Sequence, residues 1–63
     1  MTKDLTWELH KDGVYRVYQN AHNLIGTVEP YKQGFYLAHN KLTNQKTIIE
    51  SLVAAKAWVV RDL

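Results

Sequence analysis

Residues Glu50 to Leu63 read E-S-L-V-A-A-K-A-W-V-V-R-D-L, and this stretch decides how the rest of the chain must fold. At about 3.6 residues per turn, Leu52, Ala55, Val59 and Leu63 form one apolar stripe of a C-terminal helix. Val53, Ala57 and Val60 form a second stripe, with Trp58 between the two. Ser51 is placed to cap the first turn, because its hydroxyl can accept from an amide that the turn leaves unpaired. Glu50 suits the positive end of the helix dipole and Arg61 the negative end, whereas Asp62 runs against that preference. Between Leu52 and Val60 only Lys56 is charged, so the predicted helix is apolar over most of its circumference. Lying on one sheet requires only about 100° of apolar arc. The surplus has three outlets: deep seating with the alanines exposed, an outer face that meets a second copy or a partner protein, or a position flat on a membrane. The run is far too short to span a bilayer, and its polar side has few basic residues for anionic lipid.

Upstream of the helix the period changes from helical to alternating. Leu5, Trp7 and Leu9 alternate with Thr6, Glu8 and His10, the pattern of a half-buried strand. Lys11-Asp12-Gly13 turns the chain. With Gly13 left-handed, the hairpin sets Leu9 opposite Tyr15, Glu8 opposite Arg16 and Trp7 opposite Val17, which leaves one face apolar and gives the other an opposite-charge pair. A two-residue Asp-Gly turn would mix the faces, so the first register is preferred. Val14 to Gln19 is rich in β-branched and aromatic residues and reads as the second strand. Asn20 to Asn23 is a turn, and Leu24 to Tyr31 is the third strand. Within it Gly26 marks a bulge or a close approach of the helix, and Pro30 an edge or a strand end. Lys32-Gln33-Gly34 turns into Phe35 to His39, and Asn40 to Asn44 is loop. Lys46 to Ile49 reads equally as a fourth strand or as a lead into the helix. The fold class is therefore α+β, a three- or four-stranded antiparallel meander packed against one C-terminal helix, in a single domain over residues 1–63.

Sixty-three residues lie near the lower limit of independent folding, and hydrophobic residues at 46% argue against disorder. Two Trp, four Tyr and one Phe are then central to stability, and dimerisation would add to it. There is no cysteine, hence no disulfide or thiolate metal site, which suits the interior of a reducing cell. The opening M-T-K-D-L lacks an apolar core, so no secretion signal is expected and the chain is expected in the cytoplasm. A net charge of +2, from 8 basic and 6 acidic residues, is too weak to name nucleic acid as the partner.

No motif carries recognisable chemistry. His10, His22 and His39 fit no metal-ligand spacing. The carboxylates Asp4, Glu8, Asp12, Glu29, Glu50 and Asp62 are dispersed: Asp12 is assigned to the turn, Glu8 to Arg16 and Glu50 to the helix start. Ser51, the sole serine, is better used as a cap than as a nucleophile, and Gly13, Gly26 and Gly34 are isolated, so no phosphate-cradling loop exists. The expectation is a non-enzymatic protein with no catalytic, cofactor or metal site and no small-molecule substrate. From Pro30 through Ile49, however, there is no acid, and Lys32, Lys41 and Lys46 occur with Tyr31 and Tyr36, so lysines could meet phosphates while tyrosines stack on bases. A second candidate surface lies on the solvent side of the hairpin, where Tyr18 and Ile25 would form an exposed pair beside Thr6, Glu8 and Arg16.

Tyr15-Arg16-Val17-Tyr18, Ile25-Gly26-Thr27-Val28, Gly34-Phe35 and the run from Ser51 to Val59 together resemble in layout many short phage and prophage proteins. The order of three strands and then a helix is also similar to the small arm-type DNA-binding domain of phage integrases, although this chain lacks that domain's dense arginine and lysine. Small phage inhibitors of host machinery are a looser likeness. The resemblance implies an accessory or inhibitory interaction protein. The leading expectation is thus a homodimer or a complex with a protein partner through Val53, Ala57, Val60 and Arg61. The alternative is a nucleic-acid-binding module that uses Tyr31, Lys32, Tyr36, Lys41 and Lys46, and no membrane role is expected.

Overall fold

The computed structural model describes residues 4–61. Five strands follow in order, β1 (Leu5–Leu9), β2 (Tyr15–Gln19), β3 (Asn23–Lys32), β4 (Phe35–Asn40) and β5 (Gln45–Ile49), before one helix, α1 (Leu52–Val60). The strands form a single antiparallel sheet in sequence order, a meander with β1 and β5 at its edges. Both the run from Phe35 and the segment with two readings are strands in addition to the first three, so the sheet has five strands where three or four were expected. β5 pairs with β4 along its whole length, from Tyr36 opposite Ile49 to Asn40 opposite Gln45.

The first hairpin has the expected register, with Leu9 opposite Tyr15 and Trp7 opposite Val17. Gly13 supplies the left-handed residue at φ 84°, and its amide donates to the carbonyl of His10 at 3.0 Å. Asp12 holds the turn through Oδ1, which accepts from the Val14 amide at 3.0 Å. Glu8 and Arg16 are register partners, yet they do not form the expected pair. Arg16 donates from Nη2 to Asp12 Oδ2 at 3.0 Å, whereas Glu8 Oε1 contacts His10 Nε2 at 3.1 Å. Asp12 wins because one carboxylate can accept from the turn amide and the guanidinium together.

β3 departs from the expected pattern at Ile25. Gly26 pairs with Val17 and Leu24 with Tyr18, which leaves Ile25 as an extra residue at a bulge. Ile25 is buried in the core, so the exposed pair with Tyr18 does not form; Leu24 is the residue opposite Tyr18. Pro30, opposite Tyr36 of β4, lies near the end of β3, which is one of the two positions read for it. Proline is tolerated there because β2 starts at Tyr15, opposite Val28, so β3 has already run past that strand.

The core is Val17, Ile25, Val28 and Ala38 from the sheet, closed by Ala55 and Val59 of the helix. This is the predicted stripe; its Leu52 is half-buried, and Leu63 lies outside the described residues, as does Asp62. The helix rests on β3, β4 and β5. Gly26 is where it comes closest, since a Cβ built there would meet Val59 Cγ1 at 2.2 Å and the His39 carbonyl at 2.9 Å. Ser51 caps the first turn as expected, with its hydroxyl oxygen accepting from the Ala54 amide at 3.3 Å. At the other end the buried Asn40 donates from Nδ2 to the Val59 carbonyl at 3.4 Å, while its Oδ1 accepts from the amides of Leu42 and Thr43. One side chain thereby ties the end of the helix to the turn between β4 and β5.

Candidate functional site

The outer face of α1 follows from the way its inner face is seated. With Ala55 and Val59 against the sheet, the helical repeat turns Val53 and Ala57 outward; Val53 is 78% exposed, and Ala54 and Ala57 are exposed as well. Lys56 does not interrupt this surface. Its ammonium lies over the rings of Trp7 at 4.8 Å and Tyr15 at 5.2 Å, which draws the one charge inside the helix toward the first hairpin. Arg61, just beyond the helix, lies over the Trp58 ring at 5.0 Å. Val60 is half-buried and packs against the core, so the expected set divides into Val53 and Ala57 facing solvent, Val60 serving the interior, and Arg61 at the exposed end.

The residues considered for nucleic acid do not share one face. Tyr36 is on the helix side of the sheet, half-buried against the core. Lys46 pairs with His39 and so faces the opposite side, while Lys41 belongs to the turn after β4. Tyr31 and Lys32 do come together, with the ammonium 5.6 Å from the ring centre, beside Phe35 and Ile48. These four line an open depression of about 280 Å³. Phe35 and Ile48 were not among the expected residues. Their grouping depends on the strand pairing of β5, which the sequence left undecided.

A wider shallow concavity of about 810 Å³ runs along Glu8 to Asp12 at the first turn. Its carboxylates are engaged locally. The Arg16 guanidinium, and then the Val14 amide, hold the Asp12 carboxyl below its usual range, and the same contact raises Arg16. Among the described residues no three His, Asp or Glu side chains are grouped to hold a metal ion. His39 has its Nε2 enclosed without a hydrogen-bond partner among the described residues. Among those residues, too, no helix is long and apolar enough to cross a membrane.

No protein-family model, curated protein or solved structure matches the chain.

Proposed function

We propose that this chain is a small non-enzymatic interaction protein that associates with a second copy of itself through protein contacts. The observation that carries this reading is the outer helix face, where Val53, Ala54 and Ala57 lie exposed while Lys56 folds away toward Trp7 and Tyr15. Apolar surface left uncovered on so small a domain is stabilised by burial against another protein. The layout it shares with short phage and prophage proteins fits an accessory or inhibitory role in the cytoplasm. Val53→Asp tests the reading, because Val53 is the most exposed large hydrophobic residue among those described. The variant should keep the unfolding midpoint of the parent and show weaker association by sedimentation equilibrium. A parent that remains monomeric at high micromolar concentration refutes self-association. Val60→Asp is the poorer probe, since it would place a charge against the core.

A second reading, nucleic-acid binding, draws on the Tyr31, Lys32 and Phe35 grouping beside the acid-free stretch from Pro30 to Ile49. It requires binding to single-stranded or duplex DNA that falls steeply with salt, and no binding at about 50 mM salt removes it.

A further inference from the structure

β5 is an edge strand without proline or bulge, so among the described residues its outer row of backbone N–H and C=O groups has no strand to pair with. Its faces follow from β4. Thr47 lies opposite the buried Ala38 on the helix side, whereas Lys46 and Ile48 lie opposite His39 and Leu37 on the other face. Ile48 is 46% exposed at the margin of the depression formed with Tyr31 and Phe35. Lys46 precedes it by two residues and Glu50 follows it by two, at the bend before the helix. Both are exposed, and among the described residues neither has an ion-pair partner.

We propose that β5 pairs antiparallel with β5 of a second copy across a two-fold axis normal to the sheet, centred on Ile48. This rests on the self-association reading for its occupant, a second copy, and goes beyond it by placing a contact at the β5 edge, apart from the outer helix face. The two sheets would become one, with both helices on the same side. Side-chain alternation then allows only registers that keep like faces together. Centred on Ile48, the two isoleucines meet, Thr47 faces Ile49 of the other copy, and Lys46 faces Glu50 of the other copy twice. Centred on Thr47, each Lys46 would oppose an isoleucine; centred on Lys46, two lysines would meet. Opposite charges placed across strands favour the first register and like charges reject the last. At the other edge, β1 paired with itself about Trp7 sets Glu8 against Thr6, and no lysine or arginine there meets a carboxylate. A single strand pair is at the small end of specific interfaces, so the dimer forms in a concentration-dependent way.

The chain has no cysteine, so Ile48→Cys introduces a single thiol. A short thiol-reactive cross-linker should join Ile48→Cys into a covalent dimer and leave Thr6→Cys, on the other edge, monomeric. Lys46→Glu and Glu50→Lys should each weaken association roughly tenfold, through two symmetry-related pairs. The double variant Lys46→Glu/Glu50→Lys should restore it. Association that withstands both single charge changes, with no Ile48→Cys cross-link, overturns the β5 contact while leaving self-association through the helix standing. A parent chain that never associates overturns both.

Discussion

Gly26→Ala tests the seating of the helix. The added methyl would lie 2.2 Å from Val59 Cγ1 and 2.9 Å from the carbonyl oxygen of His39. Neither neighbour can move cheaply. Val59 is buried and stiff about χ1, and the His39 carbonyl belongs to β4 where that strand pairs with β3. Over-packing of this kind costs about 1–3 kcal/mol, and the tightness of both contacts places the cost near the upper end. Restricting the unfolded chain returns about 0.4–1 kcal/mol, since φ at Gly26 is not in the left-handed region and alanine adds no backbone strain there. The net loss is roughly 2 kcal/mol, a large share of the few kcal/mol that a core this size provides. Urea unfolding followed by Trp7 and Trp58 fluorescence should show the midpoint falling by roughly 2 M, taking a slope of about 1 kcal/mol per molar. Val59→Ala alone should also destabilise the fold, by about 2 kcal/mol. Combined with Gly26→Ala it should cost less than the sum by about 1 kcal/mol or more, because the new methyl fills the space that Val59 vacates. A Gly26→Ala protein within about 0.5 kcal/mol of the parent, or strict additivity in the double variant, refutes this account of the packing.

Asn40→Ala should lower stability by about 1–3 kcal/mol by stranding the Val59 carbonyl and the Leu42 and Thr43 amides, and a thermal melt followed by circular dichroism reads it directly. Asp12→Asn should change how stability depends on acidity. The Asp12 carboxyl is held below its usual 3.8, so its contribution is present above that value and is lost as pH falls through the lower folded-state value. The stability difference between parent and variant should therefore shrink as pH drops below about 4. A constant difference from neutral to acid pH would remove the Arg16 contact as its source.

The first hairpin and the helix were legible in the sequence because each carries its own period and its own punctuation. Alternation through Leu5, Trp7 and Leu9, with Gly13 at the turn, admits one register that keeps the faces apart, and that register is observed. The Leu52, Ala55 and Val59 stripe likewise named its own inner face, and Gly26 signalled the helix approach. Ile25 was misplaced, whereas Pro30 does fall near the end of β3, beyond the last residue paired with β2. The bulge at Ile25 shifts the count in β3, and a local pattern cannot register an insertion that only the neighbouring strand defines. β5 was undecided because Lys46 to Ile49 is too short for its period to show, and its pairing with β4 is what makes it a strand. Of the candidate surfaces, Val53 and Ala57 could be read from periodicity, but Val60 was counted on the outer face although it packs against the core, and the Tyr31, Phe35 and Ile48 grouping depends on strand order and could not be read.

The helix is anchored over Gly26 and Asn40, on the middle and fourth strands, whereas β1, an edge strand, has β2 as its one strand neighbour and meets the helix only through Trp7 beneath Lys56. Opening of the molecule is therefore graded from one side to the other. Amides of β1 should exchange with solvent deuterium through local fraying, while those shared by β3 and β4 wait for the whole domain to open.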